Sequence, residues 1–186
     1  MKYLIAFQLF ATIYYSKTFA QATDTIYSSE RVIIIGDTLI REDMIENVLS
    51  RFEPYITFKD FPVKTLHRGK IAQIDYRSNV TAREYRTRIT ETYKSIGLNF
   101  AGHYCFVFWG CGSACKSSAV VDLITGKVYD GPSASHGYSF KQTSRMLIVN
   151  PPDENGFIYD CPGCNPEIWI WSDKSKKFVQ KVAYEE

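Results

Sequence analysis

The sequence predicts an α+β domain: an antiparallel β-meander of about six to seven strands, curling toward a barrel, with one or two helices packed on it. From His103 onward, short β-branched and aromatic runs alternate with turn chemistry such as "TG", "NPPDENG", "CPGCNP" and "SDKSKK". Such short connections force neighbouring strands to run antiparallel. Ahead of that region, Tyr85, Ile89, Thr92, Tyr93 and Ile96 share one helical face. No low-complexity linker divides the chain, and although "FVFWG" and "IWIWSD" look like successive propeller strands, the chain is too short to hold several four-stranded blades.

The first segment, residues 1–22, has a basic start at Lys2, an apolar run from Tyr3 to about Tyr15 and a polar stretch ending in Ala20 and Ala22. That layout is a secretory signal peptide, and the run falls short of the ~18 to 20 residues that span a bilayer. The expectation is an exported, soluble protein with residues 23–186 as one domain, secreted or periplasmic and without a transmembrane segment. Lys2 and Lys17 leave with the leader, so 20 basic residues face 20 acidic ones. A neutral chain with no clustered basic excess carries no nucleic-acid footprint.

Element by element, "RVIIIGD" (31–37) predicts a strand ended by a turn. "REDMIENVLSRF" spaces Met44, Ile45, Val48 and Phe52 near helically, with acidic residues in the first turn, and predicts a helix stopped by Pro54. Pro62 makes "YITFKDFPVKTL" an irregular extended segment. Thr81 and Glu84 have capping-box spacing, and Gly97 is placed to close the helix they would start. "NVT" at 79–81 also matches a glycosylation acceptor, which acts only in a eukaryotic host. Strands are predicted near 103–109, 118–123, 127–130, 145–149, 156–160, 167–172 and 178–184, with "KSKK" (174–177) as a solvated turn.

The mature chain keeps five cysteines. Cys105, inside an aromatic strand, reads as a small buried hydrophobe. Cys111, Cys115, Cys161 and Cys164 form two close pairs with three outcomes open. Two local disulfides would staple two turns, cross-pairing would close a loop of about 50 residues, and four thiolates could hold one zinc ion. Export favours disulfides over metal, so no metal or cofactor is expected. "CPGC" also has redox spacing, but "NPEIWIWSD" follows it as a strand and not as the helix that lowers a thiol pKa.

His103, two residues before Cys105, would stand beside it about 6.6 Å along a strand, too far for a nucleophile and its base. It reads instead as a corner residue hydrogen-bonded to a backbone carbonyl, with Asn99 doing similar work after Gly97. His136 lies in the polar loop "GPSASHG", where binding residues collect. A triad of Ser133 or Ser135 with His136 and Asp122 lacks the nucleophile-elbow pattern. His67 reads as exposed.

The run "GLNFAGHYCFVFWGCGSACKSSAVVDLITGKVY" carries G-x-N-F-A-G-H-Y, then W-G-C-G-x-x-C, then D-x-x-T-G-x-V. Over residues 82–130 it resembles a family of small exported bacterial proteins of unknown function. The pattern rests on Gly97, Asn99 to Tyr104, Trp109 to Gly112, Cys115, Asp122, Thr125, Gly126 and Val128, and it departs from the family at Cys105 and in having "CPGC". No activity comes with the resemblance, so no catalytic role is transferred.

The expectation is a binding protein, of inhibitor or immunity type, that presents a cysteine-stapled loop to an envelope or extracellular protein or ligand. Its binding residues would be His103, Trp109, Cys111, Gly112, Ser113 and Cys115. The alternative is a hydrolase acting on an envelope substrate, with His103 and Asp122, and His136 as a further candidate, at its site. A structural envelope domain is the third reading.

Overall fold

The computed structural model describes residues 24–36, 45–159, 163 and 165–181. Residues 1–22, read above as a signal peptide, and Asp37, Met44, Cys161 and Cys164 lie outside them. In chain order the elements are β1 (Asp24–Ser28), β2 (Val32–Gly36), β3 (Ile45–Arg51), α1 (Val80–Glu84), α2 (Arg86–Ile96), β4 (Tyr104–Gly112) and β5 (Cys115–Asp122). They continue with β6 (Val128–Asp130), β7 (Tyr138–Phe140), β8 (Met146–Val149), β9 (Phe157–Tyr159), β10 (Glu167–Ser172) and β11 (Lys177–Lys181).

The strands fall into three antiparallel sheets, ordered β1-β2-β3-β9, β4-β5-β6 and β11-β10-β8-β7. All seven strands predicted after His103 are present. The α+β class therefore holds, but the single meander curling into a barrel does not. Strand β9 leaves the chain order to pair with β3, and β8 pairs directly with β10. Among the described residues the sheets do not close on one another.

The helix predicted around Ile45, Val48 and Phe52 is strand β3, paired with β2 through Ile33↔Leu49 and Ile34↔Val48 and with β9 through Leu49↔Tyr159. Near-helical spacing over so short a run does not discriminate, and the β-branched run of β2 supplies a pairing edge that decides the conformation. Strand β1 and strand β7 were not predicted; each is short and gains its order from a neighbouring strand.

The segment after β3 makes one 3₁₀ turn, Phe58–Asp60, and touches the sheets through the bridge Pro62↔Ser144, as Pro62 dictates. Helix α1 starts two residues earlier than its predicted capping box. Asn79 is the N-cap, its side chain accepting from the Ala82 N–H at 2.7 Å, and Thr81 sits inside the helix. Gly97 closes α2 with a positive φ of 66° and its N–H on the Tyr93 carbonyl. Only Ile89 and Tyr93 of the α2 face are buried; Tyr85 is the joint between the helices and Ile96 is exposed.

Strand β4 is packed on both faces. Cys105, Val107 and Trp109 face Ile89 and Tyr93 of α2, while Tyr104 and Phe106 face Leu147, Val149 and Trp171 of the β7–β11 sheet. The other side of that second sheet, with Met146, Ile148, Ile168 and Ile170, is covered by Phe52 and the segment after it. Layers of this kind bury apolar surface on both faces of β4 and of the β8–β10 pair, which is the main source of stability. No helix among the described residues is long and apolar enough to cross a membrane.

Candidate functional site

The first end of β4 is a tight corner. The Asn99 carboxamide pairs with Phe106 as a neighbouring strand would: Nδ2 donates to its carbonyl at 2.9 Å and Oδ1 accepts its N–H at 2.6 Å. Phe100 and Tyr104 exchange backbone bonds at 3.0 Å. Gly102, at φ 83°, leaves no room for a side chain, because a Cβ would stand 2.7 Å from the Thr65 carbonyl. Asn99 thus does the work expected of it. The corner's hydrogen bonds come from Asn99 and the backbone, however, and none uses the His103 ring.

His103 is half-buried, its ring centroid 4.1 Å from that of Tyr104. It lines a hollow of about 330 Å³ with Val63, Thr65, Arg145 and Asp173. Burial pushes its pKa below the ordinary value, against the opposing pull of Asp122 and Asp173. Beneath it the Tyr104 hydroxyl donates to Asp173 at 2.7 Å and accepts from Lys176 Nζ at 2.6 Å. Trp171 Nε1 donates to the same Asp173 oxygen at 3.2 Å. Burial, and then the bond to Asp173, drive the Tyr104 phenol far above its usual range, so it stays neutral.

This knot was missed at the sequence level. Part of "KSKK" is a solvated turn, but Lys176 folds back onto a buried tyrosine 72 positions earlier in the chain. The available signal was the acid and base flanking the β10–β11 turn, in "WSDKSK".

Asp122 ends β5 and is buried, with Oδ1 accepting the Ile124 N–H at 2.9 Å and the Thr125 N–H at 3.4 Å. Gly126, at φ 76°, is pressed so closely on the Gln73 carbonyl that a Cβ would collide with it. Val128 enters the core. The D-x-x-T-G-x-V pattern is therefore a turn and its packing. Asp122 does not line the hollow that His103 lines.

The other end of β4 is the hairpin. Cys111 and Cys115 form a disulfide with Cα atoms 5.2 Å apart, around a register shift between Gly110 and Gly112. Residues 110–114 are all exposed. Trp109 is buried at 7 % exposure, its ring stacked on Tyr85 at 4.5 Å and its Nε1 without a hydrogen-bond partner among the described residues. Phe108 points to the other face and stays 46 % exposed, its ring 5.5 Å from that of Tyr138.

Two further segments meet there. Lys116 exchanges backbone bonds with Ala134 at 2.7 and 2.8 Å, and its Nζ donates to the His136 carbonyl at 3.2 Å. Buried Asn150 accepts the N–H groups of Ser135 and His136 on Oδ1 and donates through Nδ2 to the carbonyls of Gly163 and Asn165. The fold therefore gathers Trp109, Cys111, Gly112, Ser113, Cys115 and His136 at one end and puts His103 at the other. Nine residues of β4 place the two ends roughly 26 Å apart.

The imagined triad does not assemble. His136 sits beside Lys116, whereas Asp122 lies six residues along β5, about 20 Å away. Cys105 is fully buried, and desolvation pushes its thiol up to about 12, which leaves no thiolate for His103 to activate. Among the described residues no three His, Cys, Asp or Glu side chains converge on a point that could hold a metal.

Fold and site together define an α+β protein of packed antiparallel sheets with a disulfide-closed hairpin at one end of β4. Comparison of the chain with protein families, with curated proteins and with solved structures finds no match.

Proposed function

We propose that this chain is an exported binding protein, of inhibitor or immunity type, which presents the Cys111–Cys115 hairpin to an envelope or extracellular partner. The observation that carries it is a run of five exposed residues, 110–114, crosslinked across its base and rooted in a strand buried on both faces. Such a loop is ordered before it binds, so association costs little conformational entropy. Export fits a disulfide, which persists in oxidising compartments. The resemblance over residues 82–130 to small exported bacterial proteins agrees with it.

The envelope-hydrolase alternative has less support, because the Oδ1 oxygen of Asp122 is taken by turn amides and Asp122 does not line the hollow that His103 shares with Arg145 and Asp173. The test is capture from cell-envelope extract on immobilised protein, comparing wild type with a variant lacking residues 112–114 and with Trp109→Ala. A partner enriched by wild type should drop tenfold or more on the deletion variant. Undiminished capture by a deletion variant that melts like wild type rejects the proposal.

A further inference from the structure

Strand β4 is the edge of its sheet, and half of that edge is open. In the β4-β5-β6 order no strand among the described residues lies beyond β4. Antiparallel pairing alternates, so residues whose N–H and C=O point at the partner strand occur at every second position. Lys116 and Ser118 of β5 bond away from β4, to Ala134 and Gly131, while Phe106 of β4 bonds outward to Asn99. The alternation then turns the backbone groups of Tyr104, Phe106, Phe108 and Gly110 outward. Residues 99–100 satisfy the first two. For Phe108 and Gly110 no backbone or side-chain bond to another segment closes the edge among the described residues.

A cleft of about 420 Å³ runs beside this open stretch, between Phe108, Trp109 and Gly110 on one wall and Arg88, Glu91 and Thr92 of α2 on the other. A Cβ built on Gly110 would meet nothing within 4 Å, so another backbone can approach closely. Phe108, 46 % exposed, offers an apolar surface on one face of any added strand. On the opposite face stand Arg88 and Glu91, an exposed pair 3.8 Å apart whose charges are free to turn to new partners.

We infer that this edge takes an extended segment of a partner polypeptide as an added β-strand. The segment is held by the N–H and C=O groups of Phe108 and Gly110, with an apolar side chain over Phe108 and polar side chains toward Arg88 and Glu91. The inference rests on the binding-protein reading and supplies the chemistry of the partner. Free N–H and C=O groups in a row are complementary to an extended backbone and to little else. The Asn99 carboxamide already imitates that backbone one position earlier, at Phe106. Adjacent Cys111 fixes the end of the edge by its crosslink.

The test pans the oxidised full-length protein against a displayed library of random nonapeptides and measures amide hydrogen exchange with synthetic copies of those selected. Binding peptides should slow exchange of the Phe108 and Gly110 amides at least tenfold and leave that of Phe106 unchanged. Gly110→Pro, which removes an outward donor where an edge tolerates proline, should weaken the peptides tenfold or more. Gly110→Ala, which keeps the donor, should weaken them less than twofold. Peptides N-methylated at alternate positions should bind tenfold worse in one register only, and this arm holds even if Gly110→Pro fails to fold.

Failure to select any peptide, protection elsewhere, or indifference to N-methylation overturns the inference. Concentration-dependent protection of the two amides without peptide, with a dimer in sedimentation, overturns it in favour of a second copy. Peptides lost on deletion of residues 112–114 but indifferent to Gly110→Pro leave the hairpin reading intact and reject the edge. Peptides blocked by Gly110→Pro, with envelope capture indifferent to the deletion, do the reverse.

Discussion

At the corner end of β4, nearly every polar group is spent inside the protein: Asn99 on Phe106, the Tyr104 hydroxyl on Asp173 and Lys176, Asp122 on the turn that follows it. At the hairpin end, a crosslink and a bulge hold residues in place, yet five of them stay exposed and the edge at Phe108 and Gly110 stays open. The corner has the more distinctive sequence, "NFAGHY", and the hairpin has the unspent surface. Distinctive residues mark where geometry is demanding; recognition is to be sought where ordered groups remain unsatisfied.

The comparison can be broken at four points. Gly126→Ala should be the most damaging, because the new Cβ meets the Gln73 carbonyl at a φ of 76°. Overpacking and left-handed strain together cost about 3 kcal/mol or more, a fall in Tm of about 6 to 12 °C. A calorimetric Tm within 2 °C of wild type, on the order of the effect of 1 kcal/mol, would show that the corner end is not tightly built.

Asn99→Ala comes next. It strands the N–H and C=O of Phe106, and about 2 kcal/mol should be lost in urea unfolding. Replacing Cys111 and Cys115 by serine opens a very short loop, for which chain entropy gives about 2 kcal/mol as the ceiling and engineered losses are often smaller. About 1 kcal/mol is expected, with a larger effect on partner capture than on Tm. Equal proportional losses in both would erase the distinction between the two ends.

The smallest effect is the pH dependence of His103. Its ordinary pKa is 6.5 and burial lowers it in the folded chain, with Lys176 and His67 adding to the shift and Asp122 and Asp173 opposing it. The unfolded chain therefore binds more protons just below that value. Stability from this group is fully present above about 6.5 and declines as pH falls below it. Melting from pH 7.5 to 5 should show a steeper fall for wild type than for His103→Gln. Parallel curves would mean that His103 is not desolvated at all.

Much of this was legible in the sequence. The strands after His103 were readable because turn residues punctuate them, and β4's burial on both faces followed from its unbroken aromatic and apolar run. Asn99 and Gly97 were readable as corner and cap because side-chain bonding and positive φ are local properties. Strand β3 was misread because its spacing fits two periodicities and only pairing with β2 and β9 separates them. Thr81 and Glu84 have the right spacing for a cap, but Asn79 is the stronger one: it caps at Ala82 while its Nδ2 reaches Asp130 at 3.0 Å.

The candidate site divides in the same way. The local Cys111–Cys115 bond was one of three outcomes the sequence left open and the structure forms it, whereas the buried, inert character of Cys105 followed from its neighbours. The Tyr104–Asp173–Lys176 knot was not legible, since its members are about 70 positions apart and nothing local announces them.

By itself, then, the sequence determined the α+β class, the strand-and-turn order of its second half, the cap at Gly97 and the corner at Asn99. Each of these is set by interactions between residues within about ten positions of one another, where chain connectivity fixes who can meet. The tertiary structure alone decided that the strands part into three sheets, that β3 is a strand, that His103 and His136 stand at opposite ends of β4, and that the edge at Phe108 and Gly110 is left open. These depend on which distant segment reaches an edge or a face first, and that is settled by packing the whole chain and not by any window of it.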